Sequence, residues 1–286
     1  MINRRVVALP SILFFFRGLF ARFGISITRI QKPDIPVNSV NLNIGSSDYS
    51  IPGFTNLDLP SEWYGKAQER NSYIPFNALI DDLPFADESV DNIYLSHVVE
   101  HLPDQIVKKL LLDAVRVLKP GGVIRICTPD AKFLWEISTF SNEYWNRLSA
   151  DFFRDLESNS PIPVPDSFDY LSFELASWSR FHGHSEKGHL NETHKTLSDL
   201  SFENCMTAIT SNIVYDRERP GRHISWWSIE KFDNLFDEFP NYEVVVLQSK
   251  YQGSVSLAMT GTYFDKTVPF WSLYAEIIKV PKQLGK

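Results

Sequence analysis

The chain of 286 residues contains 43% hydrophobic and 22% charged residues and has a net charge of −7. This is enough apolar material for a folded core, which excludes disordered and collagen-like classes, and the acidic balance argues against a general nucleic-acid binder. The two cysteines, Cys127 and Cys205, are too few and too far apart for a disulfide framework, which favours a reducing cytoplasm.

The first 33 residues form a basic arm without an acidic residue. Its cations are Arg4, Arg5, Arg17, Arg22, Arg29 and Lys32, so the arm is +6 and the rest of the chain is −13. The uncharged run from Val6 to Phe16 is shorter than the roughly 20 residues that cross a bilayer, and no signal-peptide cleavage site follows it. On a helix, residues 12–23 present one apolar stripe.

Two environments are open to this stripe. It either lies in a membrane interface, with the arginines against anionic lipid, or packs on the protein itself or on a partner subunit. We therefore expect a cytoplasmic protein, which in the first case contacts the inner face of a membrane peripherally through residues 1–32.

Two short strands on either side of a small-residue loop begin the predicted fold. Val40–Ile44 is typical of a buried strand, and Gly45–Ser47 follows it with small residues that let a backbone approach a ligand. Phe54–Asp58 is a second strand, which ends in a carboxylate. In nucleotide-binding sheets, an acid at this place accepts hydrogen bonds from ribose hydroxyls.

A strand, a helix and another strand follow in close order. Val90–Ser96 is a strand candidate, and Pro103 suits the first turn of a helix whose apolar residues recur at helical spacing up to Leu118. Lys119–Gly122 supplies a cation, a helix breaker and a turn, and Val123–Cys127 is the next strand. This order predicts a parallel α/β unit.

Five successive motifs in residues 38–130 resemble those of class I S-adenosylmethionine-dependent methyltransferases. The motifs are Leu42–Ser47, Asn56–Leu59, Leu83–Asp91, Ser96–Leu102 and Leu118–Gly122. The nearest branch is the small-molecule type 11 group and its relatives from polysaccharide clusters. The resemblance implies an α/β fold with a Rossmann-like sheet that is mostly parallel, with an antiparallel last strand and here a large insertion.

The resemblance also implies roles for individual residues. Gly45, Ser46 and Ser47 would offer backbone to the methionine part of S-adenosylmethionine, and Asp58 with Leu59 would bind the ribose. Asn77 and Ala78 would face the adenine, with Asn77 in the place where the family usually has Asp. His97 would lie beside the sulfonium. These eight residues are the predicted cofactor site.

Two departures from the family pattern keep other functions open. Ser47 replaces the second glycine of the loop, and only about nine residues separate Gly45 from Phe54, so the first helix must be a stub or missing. A non-catalytic binding or scaffold protein with a degenerate methyltransferase fold is therefore an alternative. A nicotinamide-dependent oxidoreductase is a third hypothesis, but the chain lacks the second and third glycines of that fingerprint.

The middle of the chain contains a cluster of histidines. Within residues 182–194 these are His182, His184, His189 and His194. One hypothesis is a metal site, because imidazoles can bind zinc or iron; the spacing contains no helical i, i+4 pair and no cysteine joins it, so we predict no metal. The alternative is a loop over the cofactor site, in which His182 and His184 contact the substrate.

The C-terminal part returns to the methyltransferase pattern. Ser228–Phe239 is typical of an amphipathic helix, and Glu243–Gln248 and Ser272–Ile278 are strand candidates that resemble the family's final strand pair. Arg222 and His223 enter this region where relatives often place a His-Lys pair, which makes them candidate substrate residues; the alternative is a surface turn. We predict four parts: the arm at 1–33, a cofactor-binding half at 34–130, an insertion at 131–220 and a C-terminal half at 221–286.

These observations predict an enzyme that transfers a methyl group from S-adenosylmethionine to an oxygen or nitrogen of a small-molecule or glycan acceptor, in surface polysaccharide or related biosynthesis. An acceptor hydroxyl would benefit from a general base near neutral pH, and His101 and His97 are the candidate catalytic residues. For His101 the alternative is a structural role at the start of the helix.

Overall fold

The computed structural model describes residues 33–60, 65–139, 171–172, 174–175, 197–211, 213–217, 220–237, 243–266 and 271–281. Residues 1–32 of the predicted arm therefore lie outside the described residues. None of the helices in the described part has the length and apolarity that a membrane crossing requires.

Seven strands form a single mixed sheet. They are β1 Asn41–Ile44, β2 Thr55–Asp58, β3 Tyr73–Pro75, β4 Val90–Ser96, β5 Leu118–Pro129, β6 Val244–Gln248 and β7 Ser272–Lys279. Their order across the sheet is β3-β2-β1-β4-β5-β7-β6. β7 runs antiparallel to both β5 and β6, and the other neighbours pair in parallel. The predicted fold class is confirmed, including the antiparallel last strand.

Five α-helices lie in the described residues. They are α1 Gly65–Asn71, α2 Asp104–Val117, α3 Ala131–Thr139, α4 Phe202–Thr210 and α5 Ile229–Asp237, and 3-10 turns cover Val99–His101 and Leu257–Met259. α2 begins after Pro103, as predicted. It ends at Val117, one residue earlier than its apolar spacing predicts, because Leu118 pairs with Val90 in the sheet.

One face of the sheet is apolar and covered by helices. Aliphatic residues of neighbouring strands follow one another in register, as in the row Ile44, Leu95, Ile126 and Ala275. α2 packs on this face with fully buried residues such as Leu111, and α5 adds Phe232 and Phe236. The spacing of three and four residues in both helices places these side chains on one stripe, which explains why the helices dock here.

The opposite face is covered by loops and carries a polar row. In register across the sheet lie Asn56, Asn43, Tyr94, Arg125 and Glu276. These side chains are almost or fully buried. The β1–β2 loop, residues 45–54, contains turns and no helix, which confirms the predicted loss of the first helix.

Asparagine side chains hold the β1–β2 loop on the sheet in place of a helix. The Asn43 amide donates to the Tyr49 carbonyl at 3.0 Å and to Asn56 Oδ1 at 3.1 Å. Asn41 Nδ2 donates to the Gly53 carbonyl at 3.2 Å. Because buried carbonyls need donors, these amides do for the loop what backbone hydrogen bonds would do for a helix.

The loop between β6 and β7 covers the other half of the same face. Asp265 in this loop pairs with Arg125 at 2.5 Å, and Arg125 also pairs with Glu276 of β7 at 3.0 Å. All three side chains are fully buried. Around them, Phe264 packs edge-on against Phe54 and Tyr94. The cluster thus ties both loops to the middle of the sheet.

A second apolar cluster lies in the segment predicted as an insertion. It combines residues of α3 and α4 with Leu171, Leu175 and Leu197. Cys127 and Cys205 are both buried free thiols, as their separation in the sequence predicts. The division into four parts stays a prediction.

Candidate active site

A cavity of about 580 Å³ lies at the carboxyl edge of the parallel strands. The carboxyl ends of β1, β2 and β4 meet there, so residues that follow these strands come together. All eight residues predicted to bind the cofactor line this cavity. They are Gly45, Ser46, Ser47, Asp58, Leu59, Asn77, Ala78 and His97.

The loop after β1 approaches the cavity closely because it has small residues. Gly45 has a φ of +70°, and a Cβ at this position would lie 2.4 Å from Val98 Cγ2. Ser47 also has a positive φ, +49°, in the place where the family has its second glycine. Serine adopts this conformation less readily than glycine, so Ser47 is a strained residue of the loop.

Asp58 ends β2 and fixes the facing loop. Its carboxylate accepts hydrogen bonds from the backbone N–H of Ser47 at 2.5 Å and of Leu59 at 2.8 Å. Burial raises the pKa of Asp58, and these hydrogen bonds, with one involving Gln68, act in the opposite direction. The carboxylate is therefore oriented by the backbone on both sides while it lines the cavity.

Asn77 lines the cavity from the turn after β3. Its Oδ1 accepts from the Leu79 backbone N–H at 3.1 Å, and its own N–H donates to Asp81 at 2.7 Å. A carbonyl oxygen has two lone pairs, so the predicted contact to an adenine amino group remains compatible with this turn.

His97 and Glu100 form a buried ion pair at the end of β4. His97 Nδ1 lies 2.8 Å from Glu100 Oε1, and the Thr128 hydroxyl donates to Glu100 Oε2 at 3.1 Å. Burial alone would lower the pKa of His97, but the Glu100 charge and the hydrogen bonds to Glu100 and Cys127 together outweigh it and raise this pKa to about 11. Burial would raise the pKa of Glu100, yet the charge and hydrogen bond of His97, with smaller effects of two further histidines, lower it to about 2. His97 is therefore held protonated at neutral pH. Its backbone lies in the left-handed region, with a φ of +53°.

His101 is the other predicted catalytic histidine, and it also lines the cavity. Its Nδ1 lies 3.1 Å from the Arg222 carbonyl. Because a carbonyl only accepts, Nδ1 carries the proton and Nε2 keeps its lone pair. Burial lowers the pKa of His101 below its ordinary 6.5, against the attraction of Glu100. This imidazole is neutral at pH 7.

Arg222 and His223, the predicted substrate pair, lie behind His101 and are not among the residues that line the cavity. The His223 ring packs edge-on against His101 with 4.8 Å between centroids, and its Nδ1 faces the Glu174 carbonyl. The two residues therefore contact the site through His101. The predicted substrate residues His182 and His184, and the histidines considered for a metal, lie outside the described residues.

Within the described part of the chain, Glu100, His101 and His223 form the one group whose nitrogen and oxygen atoms lie close enough, within 4.8 Å, to suggest a metal. The Glu100 carboxylate is already paired with His97 and Thr128. Both imidazoles face backbone carbonyls through Nδ1. These side chains are therefore engaged with other protein groups.

Several residues of the cavity were missed by sequence reasoning. Besides Tyr49 and Tyr94, the walls include Tyr215, Tyr263 and Lys266. The last three come from segments far along the chain that follow no motif. An available signal was the position of the β6–β7 loop: β7 runs antiparallel to the parallel strands, so the loop that precedes it lies at their carboxyl edge.

Comparison with known proteins agrees with this geometry. Residues 50–126 match the model of a family described as "Methyltransferase domain". A demethylmenaquinone methyltransferase of Streptomyces griseus subsp. griseus is 32% identical over 114 residues, which are 39% of this chain and 46% of that protein. One of Desulfitobacterium hafniense is 34% identical over 77 residues, 24% of this chain and 30% of that one. The matches span less than half the length of these relatives.

Among solved structures, a methyltransferase of Methanosarcina mazei aligns over 86% of this chain and 94% of its own, with 12% identity and a TM-score of 0.39. The family match covers β2 to β4, most of β5 and 12 of the 24 residues that line the cavity. The resemblance to class I S-adenosylmethionine-dependent methyltransferases that the motifs predict is therefore confirmed, and S-adenosylmethionine is the cofactor of that family.

Proposed function

We propose that this protein binds S-adenosylmethionine in the cavity and transfers its methyl group to an oxygen or nitrogen of a small-molecule or glycan acceptor. One observation carries the proposal. The eight residues that separate motifs predicted, spread over residues 45–97, meet around one cavity. Its volume of about 580 Å³ falls within the roughly 300–1,000 Å³ of small-molecule sites.

The residues present fit this cofactor. Gly45 lines the cavity, and its lack of a Cβ lets the backbone pass close to Val98, which lines the cavity beside it. Asp58 offers an oriented carboxylate to ribose hydroxyls, and the apolar side chains of Leu59, Phe76 and Leu79 lie beside it for a flat ring. We expect Gly45 to Ser47 to hold the methionine part and Asn77 with Ala78 to contact the adenine.

S-adenosylmethionine supplies a methyl group on a sulfonium, which is reactive enough that the protein's task is positioning and water exclusion. Val98 and Leu102 supply apolar wall beside His97, and Tyr215 with Pro220 lines the cavity from the later part of the chain. An acceptor placed between these walls and the cofactor would be held away from water.

His101 is the residue we propose as the general base. It is neutral, lines the cavity and has its Nε2 lone pair available because the Arg222 carbonyl holds the proton on Nδ1. His97 is unsuited to this role because it is already protonated by its pairing with Glu100. We propose instead that the His97–Glu100 pair positions the end of β4 beside the reacting atoms.

A binding experiment tests the first half of this function. Isothermal calorimetry with S-adenosylmethionine should detect binding, and Asp58→Ala should weaken it at least tenfold while circular dichroism shows an unchanged fold. Asp82→Ala is the matched control, because Asp82 is exposed and pairs with Lys109 away from the cavity. No heat at millimolar ligand would instead support the alternative, a non-catalytic scaffold with a degenerate methyltransferase fold.

The second half is tested with methyl-labelled S-adenosylmethionine and a panel of acceptors. The panel contains sugar nucleotides and polysaccharide precursors. It also contains demethylmenaquinone, because the matched relatives are named demethylmenaquinone methyltransferases. His101→Gln should lower the rate with the cofactor affinity unchanged. In the wild type the rate should fall with acid below the lowered pKa of His101. An unchanged rate in His101→Gln would remove this residue from catalysis.

The cellular location of the protein is a separate proposal. The +6 arm, residues 1–32, suits a peripheral contact with an anionic inner membrane face. Deleting these residues should move the protein out of the membrane fraction of lysed cells. An unchanged distribution would contradict this part and leave the cofactor site as proposed.

A further inference from the structure

The β6–β7 loop reaches the cavity at Tyr263 and Lys266. These residues lie on either side of the buried Phe264–Asp265 pair, which belongs to the loop-covered face of the sheet. No sequence motif points to them. Their contribution to the cavity depends on how firmly the loop is held.

Asp265 anchors the backbone directly before Lys266. Its carboxylate pairs with Arg125 at 2.5 Å and accepts from the Gln252 N–H at 2.6 Å. Its own N–H donates to the Tyr94 hydroxyl at 2.7 Å. Since these groups are buried in the middle of the sheet, Lys266 extends from a fixed point.

The Lys266 ammonium lies over two aromatic rings at the cavity wall. Nζ is 4.5 Å from the centroid of Tyr49 in the β1–β2 loop and 5.5 Å from that of Tyr263. Ring faces attract cations, so the two tyrosines hold the charge between the two loops. Of the described residues that line the cavity, Lys266 is the only lysine or arginine, and the carboxylates are Asp48 and Asp58.

The β1–β2 loop has few backbone donors left for an anionic ligand. The Gly45 N–H donates to the Leu57 carbonyl at 2.8 Å, the Ser47 N–H to Asp58, and the Tyr49 N–H to the Ser46 carbonyl at 2.7 Å. Three of the five N–H groups from Gly45 to Tyr49 are thus used within the fold, so a carboxylate in this part of the cavity gains from a side-chain donor, and charge-assisted donors are the strong ones.

We propose that Lys266 binds the α-carboxylate of S-adenosylmethionine, with Tyr49 and Tyr263 as the rings that position its ammonium. The inference rests on the proposed function and extends it. The β6–β7 loop thereby adds a charged contact to those that the shortened β1–β2 loop offers to the methionine part.

Calorimetry with two ligands tests the pairing. Wild-type protein is titrated with S-adenosylmethionine and with decarboxylated S-adenosylmethionine, which lacks only the carboxylate. We expect Lys266→Met to weaken binding of the first roughly tenfold or more, the range of a charged hydrogen bond, and to leave the second within about twofold. Lys266→Arg should restore much of the loss. Lys109→Met, an exposed lysine paired with Asp82, is the matched control.

The outcomes separate the two proposals. If Lys266→Met weakened the binding of both ligands equally, Lys266 would only support the cavity wall, and the carboxylate contact would be overturned. Unchanged binding of both ligands would overturn it as well. Both results leave S-adenosylmethionine binding by the wild type intact. Absence of binding by the wild type would overturn the proposed function itself, and the carboxylate contact with it.

Discussion

The two faces of the sheet are stabilised in different ways. On the helix-covered face, aliphatic residues of β1, β4, β5 and β7 meet the apolar stripes of α2 and α5. On the loop-covered face, the row from Asn56 to Glu276 binds the chain through amides and ion pairs. Both faces are equally dry at their centre, since Ile124 and Arg125 are each fully buried.

The two faces differ in how strictly they require particular side chains. An apolar face tolerates exchange of one aliphatic residue for another of similar volume, because burial is not directional. A buried polar row depends on every partner, because a charge or amide left alone in the interior costs its full desolvation. Residues of the loop-covered face, such as Asn43 and Tyr94, line the cavity, so the cavity walls also depend on these buried polar partners.

The largest effect is expected from Arg125→Met, which leaves the Asp265 and Glu276 carboxylates buried without their cation. We predict a loss of about 4 kcal/mol in the free energy of unfolding, measured by urea denaturation. Ile126→Val, the next residue on the opposite face, is the control and should cost about 1 kcal/mol. A loss in Arg125→Met no larger than in this control would contradict the assigned role of the ion cluster.

A smaller loss should follow from opening the helix-covered face. Leu111 of α2 is fully buried against the sheet. Leu111→Ala removes its contacts and leaves a cavity, so the free energy of unfolding should fall by about 3 kcal/mol. Leu111→Met should recover most of it, whereas no conservative exchange of Arg125 should do so. Equal tolerance at both positions would remove the distinction between the faces.

Asn43→Ala should cost about 2 kcal/mol, because the Tyr49 carbonyl and Asn56 lose a buried donor. It should also weaken S-adenosylmethionine binding, since Asn43 and Tyr49 line the cavity. Asn92→Ala is matched to it: this amide donates to Asn41 at 2.7 Å on the same face but lies outside the cavity lining. Calorimetry should find the cofactor affinity lowered in the first variant alone.

The smallest predicted effect is a dependence of the free energy of unfolding on pH, which arises from the His97–Glu100 pair at the end of β4. The pKa of His97 is raised from 6.5 to about 11, so its stabilising contribution is complete below pH 6.5 and is lost as pH rises toward 11. The pKa of Glu100 is lowered from 4.5 to about 2, so its contribution is lost as pH falls through that interval. From pH 6.5 to 7.5 we expect a loss of about 1 kcal/mol, absent in Glu100→Gln.

Most of the sheet could be predicted because its signals are local. β4 is found where its apolar run predicts it, and β1, β2 and β7 agree within a residue or two. The ion cluster could not be predicted in this way. Arg125 is separated from Asp265 by 140 residues and from Glu276 by 151, and no local periodicity links them. The alternation Asn41–Leu42–Asn43–Ile44 does show that β1 has one polar face.

The candidate site also contains residues with local sequence signals and residues without them. The predicted cofactor residues follow strands whose carboxyl ends a parallel sheet brings together, so their meeting could be foreseen. Tyr215, Tyr263 and Lys266 come from segments whose path depends on tertiary contacts, and they could not. The proposal of His101 rather than His97 as the base also required the structure, because it depends on which imidazole is paired with Glu100.

The position of β7 has a consequence for how the chain folds during synthesis. β7 inserts between β5 and β6, so β5 remains an unpaired edge until residues 272–279 have left the ribosome. Arg125 waits 140 residues for the Asp265 carboxylate and 151 residues for that of Glu276 in β7 itself. The nascent chain therefore carries an open strand and an incompletely paired cation until β7 is made, and β7 then closes the sheet and completes the ion cluster.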